Sequence, residues 1–368
     1  MVQPIASGRK PVLFRNYPDL EDHLNWLDLG LGEAPVHRLK NLPHDNLWVK
    51  RDDLTSKEMG GNKVRRLEFI LAEAVKQKQS HIITLGGIGS NHCLAVAKHC
   101  RKLGLRNTLC LFHQPISKNV LNTLKLFHLN GADIVYSGSM WKAIFDFYLR
   151  LKIKYPGACF VASGGASTFG ILGAINAAME LKEQVDRGES PEPDYIFCPT
   201  ASNGGMAGLI LGCQLSGLKS RVLGVRTGGA RLGPIPLNTP GTITGMMHKS
   251  IRFLKGKSNM IPDIKIPIPE LIENYCGAGY GYPTESGNRA TQLFLEKESI
   301  KLEPVYTAKT CAALLNLMNS DRFKNKMLLY WHTYHSLNLS EESSDVNTVE
   351  LPLEIQYLFK KSNLVVKD

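Results

Sequence analysis

Short runs rich in β-branched and aromatic residues alternate along this chain with stretches whose apolar residues fall at helical spacing, and that alternation is the strongest constraint on its fold. The strand-like runs are LWVK from Leu47, HIITLG from His81, TLCLF from Thr108, DIVYS from Asp133, CFVAS from Cys159, YIFCP from Tyr195, VLGVR from Val222 and LLYWH from Leu328. Helical period marks Cys93–Leu103, Val120–Leu129, Trp141–Lys154, Ile171–Val185, Met206–Leu215, Glu285–Lys297 and Lys309–Met318. Strand, helix and strand in succession predict parallel sheets with helices on both faces, since a parallel pair needs a crossover long enough to hold a helix. No internal repeat is present, and 368 residues are enough for two domains.

In such sheets ligands bind beyond the carboxyl ends of the strands. The glycines gather there: TLGGIGSNHCLAVA passes through Gly86, Gly87 and Gly89 into a helix, VASGGASTFGILG through Gly164 and Gly165, and CPTASNGGMAGLILG through Gly204 and Gly205. Backbone N–H groups at such helix starts suit a phosphate. None of the three matches GxxxxGK[ST] or GxGxxG, so a phosphorylated cofactor smaller than a dinucleotide is the better expectation. In KEMGGNKVRRLEF, Lys63 stands at a helix entry followed by Arg65 and Arg66. A lysine facing the positive end of a helix and cationic neighbours has a lowered pKa and a free lone pair.

The formal charge of +11 comes from scattered lysines and arginines, without the aromatic interleaving of RNA-binding modules. It predicts attraction for small anions rather than a nucleic-acid partner. The eight cysteines lack CxxC spacing and read as reduced core residues. MVQPIASGRKPVLF has no secretory apolar core and no segment has the length of a membrane span, so a cytoplasmic protein without a membrane partner is expected, with an organelle address near the N-terminus left open.

From about Ala34 to Leu315 the chain resembles the fold-type II pyridoxal-phosphate (PLP) enzymes, the tryptophan-synthase-β-like group. Within it the likeness is to the D-cysteine desulfhydrase and 1-aminocyclopropane-1-carboxylate (ACC) deaminase family. It is carried by APVHRLKNL, LWVKRDDLTSKEMGGNKVRRLEF, GGIGSNHCLAVA, SGGASTFG, SNGGMAGL, GYGYPTE and EPVYTAKT. The resemblance implies a two-domain α/β fold: a large PLP-binding domain from 1–62 and 170–337, a small domain at 63–169 and a C-terminal extension at 338–368. It makes Lys63 the lysine that carries PLP and later moves the substrate's α-proton, with Asn62 also on the cofactor. Asn91 is placed beside the ring hydroxyl and, with Ser90 and His92, beside the substrate, and Tyr280 and Tyr306 against it; Tyr282 stands where isoleucine is usual. The phosphate is assigned to Ser202, Asn203, Gly204, Gly205, Met206 and Ala207. Relatives read SGGTxAG there, so Gly205 replaces a threonine, and Asn203 replaces a glycine and is a candidate to supply the lost hydrogen bond. Thr307 is assigned to the pyridine nitrogen, where ACC deaminases carry glutamate, and this points to β-elimination rather than ring opening.

The activity implied is β-elimination from a small amino acid, D-cysteine foremost, giving pyruvate, sulfide and ammonia. Alternatives are ACC deamination, elimination or racemisation of D-serine or another amino acid, and a PLP-binding relative without turnover. A homodimer is expected. Where relatives read HTGG, this chain has Tyr334 and His335, which add bulk. His332 and His335 lack the acidic partner of a zinc-protease motif, so no metal is expected. Ser340–Asp345 reads as a mobile linker and Leu351–Lys361 as an appended helix.

Overall fold

The computed structural model describes residues 9–365, so most of the stretch where an organelle address would sit lies outside the described residues. Two sheets organise them. The smaller has the order Ala132–Gly138, Arg106–Phe112, His81–Gly87, Cys159–Val161 and is parallel throughout. The larger has the order Val36–Arg38, Leu47–Arg51, Leu328–His332, Tyr195–Thr200, Arg221–Arg226, Glu270–Ile272. It is parallel except for its first pair, where Val36 lies antiparallel opposite Lys50. Every strand-like run is a strand; in the centre of the sheets both faces are covered, so all of Leu328–His332 is buried, and so is His81–Gly87 apart from His81, whereas the edge strand Ala132–Gly138 is mostly half-buried.

Each expected helix is also present within a few residues of its periodic stretch. The stretch Trp141–Lys154 is helical from Met140, but Asp146–Arg150 is a π-helical turn. Among the elements without a sequence signal, three belong to the sheets or their covering helices. Val36–Arg38 and Glu270–Ile272 are edge strands of three residues, too short for period two to show. Pro240–Lys255 is a helix with Pro240 at its first position and a Thr239–Thr242 capping box; it buries Ile243, Met247, Ile251 and Leu254.

The chain begins in the larger sheet, builds the smaller one, and returns to finish the larger. Its crossings are tied by a buried ionic cluster. Glu180 receives Lys50 at 2.7 Å and Arg65 at 2.9 Å, and Asp52 receives Arg65 at 3.0 Å and the Trp331 indole N–H at 2.8 Å. This fixes the first turn of helix Asn62–Lys76 against strands Leu47–Arg51 and Leu328–His332 and helix Thr168–Asp186. Ser340–Asp345, expected as a mobile linker, is instead packed. Leu339–Glu342 is a helical turn, Ser340 accepts from Asn122 at 3.0 Å, and Ser343 is buried. Leu339, Val346, Leu351, Ile355 and Leu358 join the core that contains Leu94, Val120 and Leu124, so apolar spacing outweighed the acidic composition. The appended helix is Leu353–Val365. Among the described residues no helix is long and apolar enough to cross a membrane.

Candidate active site

A cavity of about 520 Å³ opens between the sheets at the carboxyl ends of their strands, within the range of small-molecule and cofactor sites. It is lined by Asn62 and Lys63 from the start of one helix, Ser90, Asn91 and His92 from the next, and Ser202, Asn203 and Gly205 from a third. Tyr280, Glu303, Tyr306, Thr333, Tyr334 and His335 also face it. The glycine-rich turns thus converge from separate parts of the chain. Burial and the Arg66 guanidinium hold the Lys63 amine well below its usual range, against an opposing pull from Glu303. An amine so placed is neutral more readily and able to attack a carbonyl carbon.

Ser90 caps its helix by accepting the Cys93 N–H at 3.3 Å, and it also faces the cavity. Capping and a ligand role are compatible. His92 turns its Nε2 to the Thr84 hydroxyl at 2.9 Å, and burial, then Lys63 and Arg66, keep it well below the usual histidine range, so it is neutral. Tyr306 donates its hydroxyl to that of Tyr280 at 2.8 Å. Burial raises both phenols above their ordinary value. Tyr282 is 47% exposed and does not line the cavity.

The loop expected to hold phosphate contains a γ-turn at Asn203, whose φ of 62° and ψ of −39° are unusual for a residue with a side chain. The Gly204 N–H closes it onto the Ser202 carbonyl at 2.7 Å. Gly205 and Met206 then open helix Gly204–Ser216, where N–H groups lack intrahelical acceptors. Met206 and Ala207 direct their side chains into the core. Asn203 does not replace the missing threonine hydroxyl. Its amide donates to the Leu237 carbonyl at 2.7 Å and the Thr242 hydroxyl at 3.1 Å, leaving only a buried acceptor oxygen, which an anion would repel.

Arg66 fills that place. Its guanidinium donates to the Gly164 carbonyl at 2.6 Å and lies so close to Gly205 that a Cβ there would stand 2.7 Å from a terminal nitrogen. Its Nε is buried without a partner among the described residues. Burial lowers its pKa to about 10, which leaves it charged at neutral pH. A cation beside two open N–H groups fits a phosphate, and Lys63 across the same cavity fits an aldehyde, so the residues present suit PLP.

Thr307 is fully buried. Its hydroxyl accepts the Glu303 N–H at 2.7 Å and donates to the Glu303 carbonyl at 3.1 Å. The charged side chain that lines the cavity from this segment, beside Tyr306, is Glu303, whose carboxylate accepts N–H groups from Val305, Tyr306 and Thr307 at 2.6–2.8 Å. Burial raises its pKa against those bonds. Tyr334 and His335 line the cavity too, rings stacked at 4.2 Å, and the Tyr334 carbonyl occupies the space a Cβ at Gly61 would need; Gly61 also has φ of 97°. His332 instead meets the Tyr330 hydroxyl at 2.7 Å.

Sequence reasoning missed Glu303, the direct part of Arg66, and Gln114, which accepts the Gly89 N–H at 3.2 Å and so braces the Ser90 turn. Only Gln114 had a usable signal: it follows strand Arg106–Phe112 at its carboxyl end.

Residues 27–333 match the model of a family described as pyridoxal-phosphate dependent enzymes. The bifunctional D-cysteine desulfhydrase/1-aminocyclopropane-1-carboxylate deaminase, mitochondrial, of Arabidopsis thaliana is 30% identical over 327 residues, covering 84% of this chain and 78% of that one. D-cysteine desulfhydrase of Serratia proteamaculans is 29% identical over 319 residues, 83% of this chain and 92% of its own. Among solved structures, an ACC deaminase homologue superposes with a TM-score of 0.74 at 24% identity over 92% of this chain and all of its own. Threonine deaminase isoform 2 from Solanum lycopersicum does so with a TM-score of 0.59 at 14% identity over 95% of this chain and 91% of its own. The agreement of fold, cavity and collinear sequence leads to one assignment: the chain belongs to the pyridoxal-phosphate dependent enzymes of fold type II and is related to the ACC deaminase and D-cysteine desulfhydrase family.

Proposed function

We propose that this protein is a PLP-dependent lyase that eliminates the β-substituent of a small amino acid, with D-cysteine as the leading substrate and pyruvate, sulfide and ammonia as products. One observation carries the reading: the pKa-lowered amine of Lys63 shares its cavity with the Ser90–Asn91 turn and the Tyr280–Tyr306 hydroxyl pair. PLP, when bound, supplies the aldehyde that Lys63 holds and the ring that takes up the electron pair left by proton removal. Arg66 and the opening N–H groups of helix Gly204–Ser216 would hold its phosphate, and Asn91 its ring hydroxyl. The Lys63 amine would serve as the base for the α-proton. Ser90 and the two tyrosines orient the amino acid. Glu303, the carboxylate that lines the cavity from the segment of Thr307, would face the ring nitrogen in its place.

Glu303 favours a second reading, ACC ring opening, because a carboxylate at the ring makes a stronger electron sink than a hydroxyl. Steady-state release of pyruvate from D-cysteine, compared with 2-oxo acid release from ACC, decides between them. Faster turnover of ACC would overturn the D-cysteine assignment, and no product from either would leave elimination or racemisation of D-serine or another amino acid, or a PLP carrier without turnover. A homodimer working without nucleic acid or membrane remains part of this proposal.

A further inference from the structure

Beyond the groups assigned above, the cavity has an apolar end. On the smaller-sheet side Leu85, Phe112, Met140 and Ile144 form one wall, continuous through the Phe112–Tyr280 ring contact at 5.8 Å with the tyrosines placed against the substrate. Ile235 and Met246 also line the cavity, and Ile235 is 42% exposed. Gly228 and Gly229 line it without side chains to fill it. A Cβ at Gly228 would find only Ala201 at 3.5 Å and Tyr280 at 3.9 Å, and one at Gly229 only the Arg231 carbonyl at 3.5 Å. The charged side chains Lys63, Arg66 and Glu303 belong to other segments, and no Lys, Arg, Asp or Glu from helix Met140–Phe145, the 231–237 hairpin or helix Pro240–Lys255 lines the cavity.

A thiol alone would leave this apolar surface wet. We infer that the amino acid processed here carries an apolar group on its β-sulfur: an S-alkyl- or S-arylcysteine, whose substituent lies against these apolar side chains. The inference rests on the lyase reading above and, within it, puts an S-substituted cysteine in the place of D-cysteine. The step balances without an oxidant or reductant. Lys63 takes the α-proton, the Cβ–S bond breaks with its electron pair leaving on sulfur, and the Lys63 ammonium returns the proton to the thiolate. With one water the products are the thiol, pyruvate and ammonium.

The test compares S-benzyl-D-cysteine with D-cysteine on the PLP-loaded protein, following pyruvate. The expected kcat/KM is about tenfold or more in favour of the S-benzyl compound. Ile144→Glu and Gly229→Leu, one charging the wall and one filling the space, should each pull that ratio towards one. D-cysteine turned over equally well or better would overturn the inference and leave the lyase reading standing. An unaltered ratio in both variants would also overturn it. Absence of pyruvate from both compounds, with PLP bound, would overturn the lyase reading itself.

Discussion

The guanidinium of Arg66 lies against the backbone of Gly205, where an added Cβ would stand 2.7 Å from one of its terminal nitrogens. The missing threonine side chain and the buried arginine are therefore one arrangement. Arg66→Ala should weaken PLP binding by about 1.5–3 kcal/mol, or roughly 10–100-fold, while leaving the affinity for pyridoxal, which has no phosphate, nearly unchanged. Gly205→Thr should be harmful beside Arg66 and much less so in Arg66→Ala. Equilibrium titration of the four apoproteins checks both statements, and equal losses for PLP and pyridoxal would remove Arg66 from the phosphate site.

Lys63 makes a prediction about pH. Its folded-state pKa lies below the 10.5 of a free lysine, so between the two values the unfolded chain binds more protons and stability rises with pH. Lys63→Met should therefore raise the Tm of the apoprotein near neutrality, and the advantage should shrink as pH climbs towards 10.5. Because Glu303 pulls the Lys63 pKa upward, Glu303→Gln should move the pH profile of borohydride-trapped PLP on Lys63 to lower pH. A shift to higher pH would contradict this coupling.

The Tyr280 and Tyr306 hydroxyls form one half-buried pair. Removing either leaves the other without its partner, so Tyr280→Phe and Tyr306→Phe should each cost about 1 kcal/mol in urea unfolding, with the double variant costing less than the sum. Each single variant should also lower turnover. Strict additivity would show that the hydroxyls do not bond.

Glu180 takes both Lys50 and Arg65. Burial raises its pKa, but Arg65 and Lys50 outweigh that and hold it below the usual carboxylate range. Such a group stabilises the fold above its unfolded pKa, about 4.5, and the contribution is lost as pH falls through its folded value. Glu180→Leu should cost about 3–5 kcal/mol at neutral pH, since two cations are left buried. Glu180→Gln should unfold in acid with a weaker pH dependence than the parent below pH 4.5. Chemical denaturation across the acid range measures both.

Asn203 occupies a conformation that favours glycine and is held there by its bonds to Leu237 and Thr242. Asn203→Ala keeps the backbone strain and loses the bonds, so it should cost about 1–3 kcal/mol. Asn203→Gly should cost less. The reverse order would mean that the amide bonds contribute little.

The sequence by itself determined the parallel sheets, the helices between them and the convergence of glycine turns at the strand ends, because period and turn chemistry are local properties of the chain. Lys63 was legible for the same reason: GGNK before an amphipathic stretch marks a helix entry. The edge strands Val36–Arg38 and Glu270–Ile272 carried no such local signal and exist through pairing with distant partners. Long-range placement also decided that Arg66 lies against Gly205 while the Asn203 amide turns to Leu237 and Thr242, that Glu303 rather than Thr307 reaches the cavity, and that residues of 339–358 join the core beside the smaller sheet. Neighbouring positions such as 203 and 205, or 303 and 307, look alike in a linear pattern. Which of them meets a ligand depends on φ and ψ at one residue and on which carbonyls, up to many tens of positions away, take its hydrogen-bond donors.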